Sequence, residues 1–246
     1  MLRWLSVAAD TDELARLAEL EIAKPSWETL VSDVMPLVAA CQWHARRAGR
    51  ILAARRPGGR PWWLLGQSVR VHRAPLGRVG IIATWNYPLQ LLGVQLVQAL
   101  VAGNRVVVKP SERTPRTQRR LLDLALAARI PDHSEARPVL EVVSADRASG
   151  AALLDDPDLD HVVFTGSTRI GRRIAEGCAT SLTASTLELS GHDSAFIFDD
   201  ADVRLAARSI WAALCNNAGQ TCMAPRRALV QRSVYRELDR KSTRLN

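Results

Sequence analysis

The sequence predicts an α/β fold: a parallel sheet with flanking helices, followed by the start of a second α/β unit. Short runs rich in β-branched residues recur in its middle, "RVGIIAT" (78–84), "RVVVK" (105–109), "VLEVVS" (139–144), "HVVFTG" (161–166) and "TLELS" (186–190). Stretches with apolar residues at helical spacing, 87–101, 114–129, 147–154 and 168–179, lie between them. The β-branched runs are continuously apolar rather than alternating, which is the pattern of strands covered on both faces in a sheet of βαβ units.

The chain opens on helices. "DTDELARLAELEIA" and "WETLVSDVMPLVAACQWHARRAGRILAARR" alternate apolar and charged positions with a helical period until "RPGGRPWW" breaks the pattern. The first strand ends in Trp85-Asn86-Tyr87-Pro88, and Pro88 suits the first turn of the next helix. The second strand ends in Lys109, followed by Pro110, Ser111 and Glu112. The fourth runs into a Gly166-Ser167 turn, with Thr168 and Gly171 in the helical turn beyond it. The fifth carries Glu188 just before Ser190-Gly191. "SAFIFD" (194–199), a helix over 201–215 and a strand over 227–231 then open a second unit. The domains read as 1–190 for the helices and first sheet, 191–239 for the beginning of the second, and 240–246, "RKSTRLN", as a non-native or disordered tail.

Length and composition exclude several functions. A chain of 246 residues can bury one large core or two smaller ones. Its 47% hydrophobic and 24% charged residues are those of a soluble globular protein. No apolar run approaches the ~20 residues that span a bilayer, and "MLRWLSVAADTDELARL" turns polar too early for a secretory signal. The expectation is a cytoplasmic protein with no membrane partner. The net charge of +8 is carried almost wholly by scattered arginines, since Lys24, Lys109 and Lys241 are the only lysines. The densest basic cluster, 46–60, lies on a helical pattern without interleaved aromatics, so a solvated face is expected there and no nucleic-acid partner.

The four cysteines show no CxxC spacing and no neighbouring histidine, so no metal site is expected. Cys41, Cys178 and Cys215 lie in helical patterns and read as small core residues. Cys222 differs. In "WAALCNNAGQTCMAPRRALV" (211–230) it sits on a glycine-bearing turn between a helix and a strand, where burial offers a thiol nothing.

Parallel sheets bind ligands at the carboxyl ends of their strands, and the polar residues out of place in this sequence are there. Asn86 can be a helix N-cap or an amide donor aimed at a developing oxyanion. Lys109 can simply reach to the surface, or with Glu112 it can hydrogen-bond the hydroxyls of a ribose. Free amides at the Gly166-Ser167 turn and the helix start make a phosphate site. Glu188 in an apolar strand is costly unless it pairs with one of the many arginines or serves as a general base with its pKa raised by burial. Cys222 is either an inert surface thiol or a nucleophile. None of the five histidines, 44, 72, 133, 161 and 192, is spaced to serve it, which argues against a Cys–His protease.

In order and spacing, "PLGRVGIIATWNYP", "GNRVVVKPSERTP", "LLDDPDLDHVVFTGSTRIGRRI", "LELSGHDSAFIFDDADV" and "NNAGQTCMAPRR" resemble the aldehyde dehydrogenase superfamily, over residues 10–238. The resemblance implies a Rossmann-like NAD-binding domain, the beginning of an α/β catalytic domain, and NAD-dependent oxidation of a small aldehyde to a carboxylic acid. It implies that Cys222 attacks the aldehyde to give a thiohemiacetal, with the Asn86 side chain and the Cys222 backbone amide as oxyanion donors. Glu188 then activates the water that hydrolyses the thioester. Lys109 and Glu112 hold the adenosine ribose, Phe164, Gly166 and Ser167 lie beside the pyrophosphate and nicotinamide, and Trp85 lines the cofactor cleft. A carboxylate at Glu112 repels a 2′-phosphate, which favours NAD, with NADP as the alternative. Glu188 favours hydrolysis over transfer to coenzyme A.

The pattern also departs from the family. Ser190-Gly191-His192 stands where the family has Gly-Gly-Lys, and "SADRAS" (144–149) lacks an expected glycine. Complete members are much longer, so the chain is expected to be the amino-terminal portion of a truncated member. Its strands 194–199 and 227–231 are then expected to lack partners, and the full-length protein to be a homo-oligomer. A non-catalytic NAD-binding remnant or interaction module is the alternative function.

Overall fold

The structure is a computed structural model that describes residues 10–59, 61–64, 66–128 and 138–243. Helix α1 (Thr11–Ile22) buries Leu14, Leu17 and Ala18, a stripe at helical spacing, and stops at Ala23 in the left-handed region. Beyond Pro25, the short α2 (Ser26–Thr29), a π-helical turn (Leu30–Val34) and α3 (Met35–Leu52) follow one another without a break. Then come β1 (Arg78–Ile82), α4 (Gln90–Val101), β2 (Arg105–Lys109), α5 (Pro115–Ala127), β3 (Leu140–Val142), α6 (Arg147–Leu154), β4 (His161–Gly166), α7 (Thr168–Ser181) and β5 (Ala184–Leu189).

The five strands form one sheet in the order β3-β2-β1-β4-β5 with every neighbour parallel. The winding reverses between β1 and β4, so a crevice opens at their carboxyl ends, where such sheets take ligands. Register levels the strand ends: Ile82 pairs with Lys109 on one side and Phe164 on the other, and Thr165 pairs with Glu188.

Side chains alternate across a strand, and both sets are apolar here. Val79, Ile81, Val106 and Val108 pack with Leu37, Leu92, Leu96, Leu121 and Leu122 on one face. Ile82, Val107, Val162 and Phe164 pack with Ile174 and Cys178 on the other. This double burial is what the uninterrupted apolar runs encode.

Three strands differ from expectation. β5 is the edge strand of the sheet, on which Leu187 alone is half-buried and packs into the Phe164–Ile174 core, while the others are exposed. The expected orphan strands are not orphans: β6 (Ser194–Ile197) and β7 (Arg227–Val230) pair in parallel with each other. Helix α8 (Val203–Cys215) connects them, and Ile197, Val203 and Ala207 share a small core with Leu238 of α9 (Arg232–Thr243).

Residues 240–243, part of the stretch expected as a non-native or disordered tail, are ordered and complete α9. Lys241 pairs with Glu237 one turn earlier, and Trp211 Nε1 donates to the Ser242 carbonyl at 3.1 Å. Residues 244–246, the first nine, and residue 129 of the expected helix 114–129 lie outside the described residues. Cys178 is buried and Cys41 half-buried, but Cys215 is exposed, since it is the last residue of α8. Among the described residues no helix is long and apolar enough to cross a membrane.

Candidate active site

Asn86 is not a helix cap. Helix α4 begins at Gln90, and the amides of Leu89 and Gln90 donate instead to Asp33 Oδ1 at 3.0 and 2.9 Å. Asn86 is buried and used elsewhere. Its Oδ1 accepts from Thr84 Oγ1 at 3.2 Å, and its Nδ2 donates to the carbonyl of Gln220, 134 residues away, at 2.8 Å. Its own carbonyl accepts from Asn217 Nδ2 at 2.8 Å.

The loop so reached carries Cys222. It leaves α8 through a tight turn, Asn216–Gly219, in which Asn217 (φ 54°), Ala218 (φ 52°) and Gly219 (φ 77°) are all left-handed. Asparagine and glycine tolerate that region, while alanine does so at a cost. Asn217 is fully buried and its amide donates to Glu28 Oε2 at 2.6 Å. Gln220 Nε2 donates to the carbonyls of Ile22 and Asn217, each at 3.0 Å, and the Tyr87 hydroxyl lies 2.8 Å from Thr221 Oγ1. Three residues past this anchored turn, Cys222 is exposed.

A buried ion pair underlies the arrangement. Lys24 and Asp33 are both fully buried and bonded to each other, and the Lys24 ammonium sits 3.8 Å above the Tyr87 ring. Burial pushes Lys24 below its ordinary pKa and Asp33 above its own, against their mutual attraction. Burial likewise raises Tyr87. These residues had no place in the sequence reading. The signal available was the rarity of lysine, which drew attention to Lys109 and applied equally to Lys24.

Trp85, Asn86, Gly166, Ser167, Glu188 and Cys222 all line one cavity of about 780 Å³ at the ends of β1 and β4, with Gln90 and Val94 of α4 along its wall. Residues from four separate segments therefore meet. Glu188 corrects one expectation: it lies exposed on the edge strand rather than buried. It lines the cavity without an ion pair among the described residues.

Lys109 and Glu112 lie outside that cavity. They sit at the end of β2, across β1 from β4, which at the usual strand spacing is about 10 Å. The buried Lys109 Nζ donates to Glu112 Oε2 at 3.0 Å, and Arg147 Nε stands 3.5 Å from the other carboxylate oxygen. Burial pushes Glu112 up, but its own backbone amide and the Lys109 ammonium outweigh that and hold it below the usual carboxylate value. The Arg113 guanidinium, next to Glu112 in sequence, lies 4.5 Å over the Trp85 ring.

Phe164 does not face the cavity. Val163 and Thr165 point there, and alternation sends Phe164 into the opposite core with Ile82, Val107 and Ile174. Its ring is the floor under Gly166, where a Cβ would meet Phe164 Cζ at 2.5 Å. Beyond it, Ser167 Oγ caps α7 by accepting from the Ile170 amide at 3.4 Å. First-turn amides of a helix have no intrahelical acceptor, so this strand end offers an anion a row of donors.

Fold and site define a doubly wound α/β protein whose strand-end crevice faces an exposed cysteine, with an amide and a carboxylate on the same cavity. The model of the aldehyde dehydrogenase family matches residues 5–244, and the chain belongs to that family. Its members are oxidoreductases that use NAD or NADP and act on aldehydes. A mitochondrial succinate-semialdehyde dehydrogenase of Arabidopsis thaliana is 35% identical over 235 residues, 95% of this chain and 43% of that relative. Phenylacetaldehyde dehydrogenase of Pseudomonas fluorescens is 36% identical over 237 residues, 94% of this chain and 45% of that relative. Among solved structures, an NADP-dependent enzyme of E. coli superposes with a TM-score of 0.85 at 32% identity, over 97% of this chain and 48% of that one. PnpE in complex with nicotinamide adenine dinucleotide gives 0.85 at 29% identity, over 97% and 47%. The chain thus spans somewhat under half the length of the relatives it matches.

Proposed function

We propose that this chain supplies the dinucleotide site and the nucleophile of an NAD-dependent aldehyde dehydrogenase that forms a carboxylic acid. The observation that carries the reading is the meeting of Cys222, Asn86 and Glu188 on one cavity at the β1–β4 crevice. The Cys222 thiolate attacks the aldehyde carbon, and the electron pair of the carbonyl moves to oxygen. Asn86 has two amide hydrogens, one of which is spent on Gln220. The other, with the Cys222 backbone N–H, stabilises the oxyanion of the thiohemiacetal. Acceptance of a hydride is the chemistry that a bound nicotinamide dinucleotide supplies. Glu188 takes a proton from the water that attacks the resulting thioester, which frees the carboxylic acid and returns the Cys222 thiolate.

The donor set fits such a dinucleotide. Lys109 and Glu112 offer paired donors and acceptors to a vicinal diol, the helix start at Ser167 offers amides to a pyrophosphate, and glycine at 166 keeps the backbone accessible beside them. The ionised Glu112 repels a 2′-phosphate, which favours NAD, while Arg147 and Arg113 leave NADP a weaker ligand. A cytoplasmic location and a homo-oligomeric full-length protein belong to the same proposal.

The test is aldehyde-dependent formation of reduced nicotinamide. Cys222→Ser abolishes it, and Asn86→Ala lowers the rate by about 10²–10³, the usual effect of losing one oxyanion donor. Undiminished turnover by Cys222→Ser refutes the mechanism. A second reading, a non-catalytic NAD-binding remnant or interaction module, draws on the exposure of Glu188 and predicts dinucleotide binding with no aldehyde-dependent turnover.

A further inference from the structure

Helices α1 and α2 supply none of the groups that react in the proposed mechanism, yet they hold the Cys222 loop directly. Ile22, at the end of α1, accepts from the Gln220 side chain at 3.0 Å. Glu28, in α2, accepts the Asn217 amide at 2.6 Å across 189 residues of sequence. Both partners are buried, Glu28 at 7% exposure and Asn217 at 0%.

The turn needs such an anchor. Two consecutive non-glycine residues, Asn217 and Ala218, are left-handed, a conformation that persists only where the surroundings over-determine it. Asn217 is gripped at both ends, its side chain on the Asn86 carbonyl and its amide on Glu28. A carboxylate accepting a backbone N–H makes a stronger bond than a neutral acceptor does. Once Asn217 is fixed, its carbonyl receives the Gln220 backbone and side-chain donors, at 3.0 Å each, and the Gln220 carbonyl receives Asn86 Nδ2. The chain of bonds therefore runs Glu28, Asn217, Gln220, Asn86, from the first helices to the expected oxyanion donor.

We propose that Glu28 is a positioning residue: through the Asn217 amide it sets the turn that presents Cys222 to Asn86. The proposal rests on the reading of Cys222 as nucleophile, but its test is independent of turnover. Hydrogen exchange is followed by mass spectrometry in the wild type, Glu28→Ala and Glu28→Gln.

In Glu28→Ala the amides of 217–222 exchange about tenfold faster, the factor that corresponds to losing one hydrogen bond of ordinary net strength. The amides of β1 and β2 keep their wild-type rates. Glu28→Gln, whose carboxamide oxygen still accepts from Asn217 but as a neutral acceptor, falls between wild type and Glu28→Ala in the loop and keeps wild-type rates in the sheet. Unchanged loop exchange in Glu28→Ala overturns the proposal, as does a Glu28→Gln loop as fast as the alanine variant, or equal acceleration of loop and sheet. Should Glu28→Ala not fold, Glu28→Asp carries the comparison: the side chain is one methylene shorter, and acceleration confined to 217–222 supports the proposal while its absence overturns it. A protein that fails to oxidise aldehydes but shows this pattern removes the proposed function and leaves the anchoring role standing.

Discussion

Replacing Asp33 with alanine removes one side chain with three buried duties. It neutralises Lys24, which has no exposure, and it accepts the amides of Leu89 and Gln90 at the start of α4. An uncompensated buried charge costs about 3–5 kcal/mol. Each buried amide left without an acceptor costs about 1–3 kcal/mol. These losses share one site and do not add fully, so the expected destabilisation is at least about 4 kcal/mol. Set against a typical total of about 5–15 kcal/mol, that brings the chain near its unfolding threshold.

Urea denaturation followed by circular dichroism measures the loss. A second substitution separates its parts. Lys24→Met removes the stranded ammonium, so the double variant Lys24→Met/Asp33→Ala recovers part of the stability that Asp33→Ala loses. The reasoning is refuted if Asp33→Ala stays within about 1 kcal/mol of the wild type, below the lower bound for breaking a buried pair, or if adding Lys24→Met makes matters worse.

Three further outcomes follow from the packing and the titrating groups. At Gly93 a Cβ would meet both Leu37 methyl carbons at 2.6 Å, and Leu37 is fully buried and cannot swing away. Gly93→Ala therefore destabilises by about 1–3 kcal/mol from overpacking, partly offset by about 1 kcal/mol of helix preference, and Leu37→Ala in the same chain relieves it; a stabilised Gly93→Ala sinks the argument. Burial pushes the Cys41 thiol up to about 11 and raises Cys178, while Cys215 and Cys222 are exposed. A thiol reagent near neutral pH labels the exposed pair first and the other two only on unfolding, and early modification of Cys41 contradicts this. Hydrogen bonds from Ser144 and from Ser149 hold the Asp146 carboxyl down to about 2, below its ordinary 3.8. Because the folded value is depressed, its contribution to stability is present above pH 3.8 and fades as pH falls toward 2. Carbon-detected NMR titration reads the midpoint, and Ser144→Ala shifts it upward.

Much of the sheet was legible without coordinates. β2 and β4 coincide with their apolar runs, and β1 and β3 lie within theirs, because strands buried on both faces must be continuously hydrophobic. β5 was legible as a strand but not as an exposed one, since its environment depends on what lies over it. The pairing of β6 with β7, between residues 33 apart, follows from how α8 crosses between them, and no local pattern records that crossing. The end of α9 was misjudged because "RKST" has no apolar spacing, and its helical state comes from Lys241 on Glu237 and from Trp211 on Ser242.

The site divides along the same line. Cys222, Glu188, Asn86, Lys109 and the Gly166-Ser167 turn stood out in the sequence because each is chemically out of place where it sits: a thiol on a turn, a carboxylate or an ammonium closing an apolar strand. Local chemistry is written in local sequence. What the tertiary structure alone decided is which of them meet. It put Asn86, Glu188 and Cys222 on one cavity, left Lys109 and Glu112 two strands away, and turned Phe164 into the core. It also tied Glu28 to Asn217 and buried Lys24 against Asp33, contacts made by residues whose immediate neighbours in sequence give no hint of a partner. Burial and pairing are properties of the packed chain. A sequence lists the groups able to make such bonds, and only the closing of the sheet against its helices selects the ones that do.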